Sequence, residues 1–173
     1  MSALCFRLAR VADAAQISAL VNMAYRGEAS RQGWTTEADL LDGLRTTTEQ
    51  VVDIIKTPHS VLLLCLQNEV IVGSICLEHQ YETTHVGMFV VRPNLQGKGI
   101  GKQLLTYAED YAKQHFNSNR LMMRVISQRH ALIDFYHRRG YQSTGVDEDF
   151  PVNAEMWQPK VDGLKLVQLV KLT

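Results

Sequence analysis

The segment Gln96-Gly97-Lys98-Gly99-Ile100-Gly101-Lys102 is the part of the chain best suited to hold an anion. It follows an apolar run and precedes a helical pattern, so it reads as a turn between a strand and a helix start. The free N–H groups of a first helical turn point at an anion, glycines let the backbone approach closely, and the helix dipole adds to both. Lys98 and Lys102 put positive charge beside the turn. Two familiar phosphate loops do not fit. A P-loop requires Ser or Thr after Gly-Lys, and Gly101-Lys102 is followed by Gln103. The dinucleotide fingerprint fails because the glycines fall at 97, 99 and 101. Taken alone, the segment has a competing reading as a tight turn whose glycines serve geometry only. The cysteines, Cys5, Cys65 and Cys76, show neither zinc-site spacing nor a disulfide framework, and read as buried free thiols.

The elements around this loop follow from periodicity. Residues 6–10 read as a first strand. Asp13, with Gln16 three residues on, marks a capping box, and Ile17, Leu20, Val21 and Ala24 repeat at helical spacing behind it. Thr36 is expected to cap a second helix carrying Leu40, Leu41 and Leu44, and Thr48 a third carrying Val51, Val52, Ile54 and Ile55. Residues 61–67, 70–81 and 85–92 are closely spaced apolar runs, with Asn68-Glu69 as the first turn, and predict antiparallel strands. A helix over residues 100–115, a strand over 121–126, a short helix over 129–138 stopped by Gly140, and strands after Tyr141 and over 164–172 complete the chain. The fold class is α/β, a mixed sheet with helices on both faces and one βαβ crossover. Ligands of such sheets favour the carboxyl ends of the strands.

With 173 residues the chain makes one domain, residues 1–173, and 46% apolar residues supply its core. Lys plus Arg and Asp plus Glu both number 18, a balance that argues against a nucleic-acid partner. No apolar run reaches membrane-spanning length, so no membrane partner and a cytoplasmic location are expected.

Residues 86–101, VGMFVVRPNLQGKGIG, resemble motif A of the GNAT superfamily of N-acetyltransferases, an apolar strand followed by Gln/Arg-x-x-Gly-x-Gly/Ala. Gln96, Gly99 and Gly101 fill its three defining positions. The segment LIDFYHRRGY, residues 132–141, is similar to motif B of the same family. The resemblance covers nearly the whole chain. It implies a mostly antiparallel, twisted sheet with two strands splayed apart, and acetyl-CoA as co-substrate. It places the CoA pyrophosphate on the backbone of Gly97, Lys98, Gly99, Ile100, Gly101 and Lys102, and the pantetheine arm along Phe89, Val90 and Val91. Many family members carry Asn where Arg129 stands; here the arginine either binds phosphate or is solvated.

The implied reaction is attack of an amine on a thioester. The amine must be neutral, the oxyanion needs a donor such as a backbone N–H of residues 89–91, and the departing thiolate benefits from a proton. No metal is required. Tyr136, four residues before Gly140, matches the family's catalytic tyrosine and is expected to act as general acid. The base candidates are Glu78, His79, Glu82 and His85. His85 is favoured, because it lies eleven residues before Gln96 and shares strand parity with Gly87, Phe89 and Val91. Residues 26–36 and 147–160 are expected to frame a small, amino-acid-like amine acceptor, with Arg31 holding a carboxylate or Glu148, Asp149 or Glu155 attracting the amine. A homodimer is compatible with this reading. The competing readings are a non-catalytic CoA-binding sensor or interaction module on the same scaffold and, less favoured, a nucleotide-binding oxidoreductase.

Overall fold

The structure is a computed structural model and describes residues 2–173. Among the described residues nine strands and four α-helices follow one another: β1 (Leu4–Leu8), α1 (Ala14–Tyr25), β2 (Leu41–Gly43), α2 (Thr48–Lys56), β3 (Ser60–Gln67), β4 (Val70–Gln80), β5 (Thr83–Val91), α3 (Ile100–Phe116), β6 (Arg120–Ile126), α4 (His130–His137), β7 (Gln142–Asp149), β8 (Trp157–Pro159) and β9 (Lys165–Leu172). Seven strands form one sheet in the order β1-β3-β4-β5-β6-β9-β7. Every neighbouring pair is antiparallel except β5 and β6, which are the two ends of the α3 crossover. The Asn68-Glu69 turn has both residues at positive φ, 51° and 65°, the twist that a two-residue hairpin demands.

Alternation along the strands sends apolar side chains to both faces. Leu63, Cys65, Ile75 and Leu77 pack under α3 with Leu104, Leu105 and Ala108. Leu62, Leu64 and Cys76 pack against α1 and α2 through Ile17, Val21 and Val51. A third cluster joins Leu41 to Ile126 and Leu164. Among the described residues, no helix is long and apolar enough to cross a membrane.

Two expected helix starts are corrected. Asp13 does not cap α1 with its side chain; its carboxylate takes the Arg7 guanidinium and the Arg10 N–H, 2.7 Å each, holding a short 3-10 turn ahead of the helix. Thr36 caps no helix. Its hydroxyl engages Ser30 and the Ala38 N–H, and Leu41 begins β2, which pairs with β8 more than a hundred residues later. The third start shifts by one residue: Thr47, not Thr48, is the cap, its hydroxyl accepting from the Gln50 N–H at 3.2 Å.

The feature that opens the sheet lies on β5. It pairs with β6 only at Thr83, Thr84 and His85. Beyond His85 the two strands diverge, leaving residues 86–91 with a free edge. On the other side, Cys76 pairs with Gly87 and Ser74 with Val90, so Met88 and Phe89 stand opposite a single residue, Ile75. Met88 sits at φ 43°, which marks a bulge.

Candidate active site

Two cavities meet at the divergence of β5 and β6. The smaller, of about 320 Å³, runs from Phe89 and Val91 to Gly97, Gly99, Gly101 and Lys102, with α4 as its other wall. The larger, of about 630 Å³, lies beyond β5 between α1, α2 and the segment carrying Phe150 and Trp157. Five residues line both: Tyr25, Phe89, Arg129, Leu132 and Tyr136. A group that crosses from one cavity to the other passes these side chains.

The small groove ends at a glycine turn and is lined by cations. Gly97 and Gly99 have φ of 77° and 83°, and Gly99 is the N-cap of α3. A Cβ on Gly101 would sit 3.5 Å from the Phe89 ring and 3.6 Å from Val91, so its absence keeps the groove open there. Lys102, Arg129, Arg138 and Arg139 line the groove and no carboxylate does. Arg138 and Arg139 escaped the sequence reading, although the pair Arg-Arg before Gly140 was its visible signal. Arg139 lies 3.5 Å over the Phe135 ring and donates to the Phe135 carbonyl at 2.8 Å.

Several expected ligands take different places. Gln96 is committed to the protein: its amide donates to the Val91 carbonyl at 3.0 Å and the Thr35 hydroxyl at 2.8 Å, and its oxygen accepts from the N–H groups of Trp34 and Thr35. It therefore seats residues 33–35 on the groove rather than offering its side chain to phosphate. Ile100 and Val90 are buried in the two opposite cores and offer backbone only, and Lys98 is exposed beside the groove without lining it. Arg129 is not solvated, and it lines the groove. It pairs with the buried Glu37 at 3.4 Å and donates to the Thr35 carbonyl.

Two phenols stand at the junction. The Tyr25 hydroxyl donates to the Phe89 carbonyl at 2.8 Å, so its proton is committed. Tyr136 is 5% exposed, lines both cavities, and has no protein hydrogen-bond partner for its hydroxyl among the described residues. Burial raises its pKa above the ordinary phenol value, and Tyr25 adds to this. Arg129 and Arg139 oppose the shift and so favour a developing phenolate. The group is a proton donor at neutral pH, not a base.

His85 lines the large cavity, directly across from Glu78 on β4 and Met122 on β6. Its expected parity with Phe89 and Val91 is corrected by the bulge. Val86 and Val91 belong to the α3-side core, whereas Met88 and Val90 belong to the α1-side core. His85 thus shares the cavity face with Gly87 and Met88, and Phe89 and Val91 turn to the groove. Desolvation lowers the His85 pKa, Arg124 lowers it further, and Glu78 works against both. The imidazole is neutral at pH 7 and able to accept a proton. Cys76 also lines this cavity, but burial pushes its thiol up to about 12, which removes it as a nucleophile.

Of the two segments expected to frame an acceptor, Arg26, Phe150, Pro151 and Trp157 line the large cavity. The charges expected to hold the acceptor do not. Arg31 is tied on the surface to Glu28 and Asp39, Glu148 pairs with Arg124, and Asp149 pairs with Lys165. Neither these acids nor Glu155 line the cavity. No group of three or more His, Cys, Asp or Glu side chains that could hold a metal ion occurs among the described residues.

A sequence profile described as the acetyltransferase (GNAT) family matches residues 21–141. The chain belongs to the GNAT acetyltransferase family. This GNAT enzyme is 30% identical over 150 residues to the S-alkylcysteine N-acetyltransferase of Bacillus subtilis (strain 168), covering 79% of its own length and 78% of the relative's. Its fold matches an N-acetyltransferase from Staphylococcus aureus Mu50 with TM-score 0.75 at 18% identity, over 99% of this chain and 98% of that one. YncA from Salmonella typhimurium, solved with its cofactor acetyl-CoA, matches with TM-score 0.70 at 21% identity, over 98% and 94%.

Proposed function

We propose that this GNAT enzyme transfers the acetyl group of acetyl-CoA to the primary amine of a small, amino-acid-like acceptor by direct attack. The observation that carries the reading is the pair of cavities joined at Tyr25, Phe89, Arg129, Leu132 and Tyr136. The cationic, carboxylate-free groove suits the phosphates of CoA. The free edge of residues 86–91 suits an extended pantetheine arm laid alongside as an added strand. The thioester then arrives at the junction, and the acceptor comes from the large cavity.

In this mechanism Met88 and Phe89, out of register with β4, supply backbone at the point where an oxyanion develops. The amine nitrogen bonds to the thioester carbon and gives up a proton toward neutral His85, directly or through water. The C–S bond breaks and the thiolate takes the Tyr136 proton. Holding both reactants at one junction also converts a two-body encounter into a local one. The high Cys76 pKa favours direct transfer over an acyl-cysteine intermediate.

The test is thiol release from acetyl-CoA against a panel of amines, amino acids and peptides, alongside a thermal-shift titration. Stabilisation by acetyl-CoA with acceptor-dependent thiol release is expected. Stabilisation without turnover on any acceptor would favour a CoA-binding sensor instead.

A further inference from the structure

At one part of the large cavity arginines outnumber carboxylates. Arg26, Arg45 and Arg129 all reach it, and Glu37 is the one carboxylate among them. Glu37 already serves Arg129 at 3.4 Å and stands 3.6 Å from Arg26. The Arg26 side chain is only 4% exposed; one of its terminal nitrogens donates to the Leu44 carbonyl at 3.3 Å, and its Nε has no hydrogen-bond partner among the described residues. Arg45 is half-buried, and among the described residues its guanidinium pairs with no carboxylate. Its backbone is held in place: the Asn22 side-chain oxygen accepts from the N–H groups of Arg45 and Thr46 at 2.8 and 3.1 Å, and the Asn22 amide donates to the Thr46 carbonyl at 3.0 Å. Burying like charges together is costly unless an anion joins them.

Neither Arg26 nor Arg45 lines the donor groove, so their partner is not CoA phosphate. The other charged residues of the lining are Asp53 and Glu78, both exposed, and Arg124, which pairs with Glu148. Glu78 faces His85, where an incoming ammonium would lose its proton. The cavity therefore presents a cluster of three arginines sharing one carboxylate, with Ile54, Met122, Phe150 and Trp157 as apolar wall.

We propose that the acceptor is a free α-amino acid whose carboxylate is held by Arg45, with Arg26 behind it, rather than a simple amine or a polyamine. This rests on the acetyltransferase reading above and deepens it. The α-amino nitrogen gains the acetyl group and loses its proton, CoA leaves as the thiol, and the carboxylate is unchanged. A polyamine would set a second positive charge against these arginines. The B. subtilis relative is named for S-alkylcysteine, an amino acid with an apolar side chain.

Calorimetric titration of the CoA-loaded protein with S-methyl-L-cysteine and with 2-(methylthio)ethylamine, which is the same molecule without the carboxylate, tests the assignment. The amino acid is expected to bind about 10- to 100-fold more tightly, the worth of one charge-assisted hydrogen-bonded contact. Arg45→Met should erase that margin for the amino acid and leave the amine where it was, while Arg45→Lys should retain part of it. All three proteins should keep the thermal shift produced by acetyl-CoA. Equal binding of the two probes, equal loss of both in Arg45→Met, or no binding by any free amino acid from alanine to phenylalanine overturns the assignment. Thiol release with the same pair separates it from the parent reading. Arg45-dependent binding without acetyl transfer leaves the carboxylate site standing and removes the acetyltransferase reading; transfer to the amine as fast as to the amino acid does the reverse.

Discussion

Replacing Tyr136 by Phe distinguishes the two phenols at the junction. The ring keeps its edge-on contacts with Phe135 and Tyr141, centroids 5.4 and 5.7 Å away. The hydroxyl has no protein partner, so no hydrogen bond is lost and stability should change by under about 1 kcal/mol. Acetyl-CoA affinity should hold, because the groove's cations are untouched. The chemical step should fall about 10²–10⁴-fold, the usual worth of a positioned proton donor. Tyr25→Phe is the opposite case. It removes the 2.8 Å bond to the Phe89 carbonyl and should cost about 1 kcal/mol of stability. It should slow the chemical step less than tenfold, the shortfall being position rather than proton, on the scale of about 1 kcal/mol. Single-turnover mixing of enzyme-bound acetyl-CoA with a working acceptor reads the chemical step apart from product release. A near-wild-type rate in Tyr136→Phe, or the larger loss in Tyr25→Phe, would refute the assignment.

Gly99→Glu should abolish the acetyl-CoA thermal shift, since it sets a negative side chain at a loop where φ is 83° and nothing lies within 4 Å of a Cβ; Gly99→Asn, which tolerates that φ, should retain most of it. Gln96→Ala removes four hydrogen bonds, about 2–4 kcal/mol in all, and should lower Tm by roughly 5–10 °C while loosening acetyl-CoA binding; an unchanged Tm in differential scanning calorimetry would show that residues 33–35 do not depend on it. His85 has a lowered pKa, so it stays a competent base to lower pH than an ordinary histidine, and the acid limb of the wild-type rate profile should lie below about pH 6.5. His85→Ala should lose most rate near neutrality and converge with wild type at high pH, where the amine deprotonates unaided; parallel profiles would remove His85 and turn attention to Glu78.

The hairpin of β3 and β4, the crossover through α3 and the glycine turn were legible because their signals are local. Asn68-Glu69 sits between two apolar runs, and Gly99 immediately precedes the helical period of α3. What was misread depends on distant partners. Leu40, Leu41 and Leu44 keep helical spacing, yet Leu41 is buried against Ile126 and Leu164, and β2 pairs with β8. Thr36 and Asp13 carry capping side chains that other groups claim first. The partner of Arg129 is Glu37, 92 residues earlier, and no spacing rule reaches that far. Gln96 matched the motif, but its contacts with Thr35 and Trp34 show that it fastens the loop. Tyr25 stayed unnoticed because its contact with Phe89 crosses from the end of α1 to the middle of the sheet.

The bulge at Met88 also makes the middle of β5 a counting frame. Ahead of it, odd-numbered residues look into the large cavity; behind it, odd-numbered residues look into the small groove. With the bulge kept, a single deletion at Val86 would turn His85 onto the face of Phe89 and take it out of the large cavity. One residue inserted at the Asn68-Glu69 turn would alter only a surface loop. Tolerance to length changes in this enzyme is therefore set by which side each residue must face, and it is lowest over the few positions where one strand turns from the large cavity to the small groove.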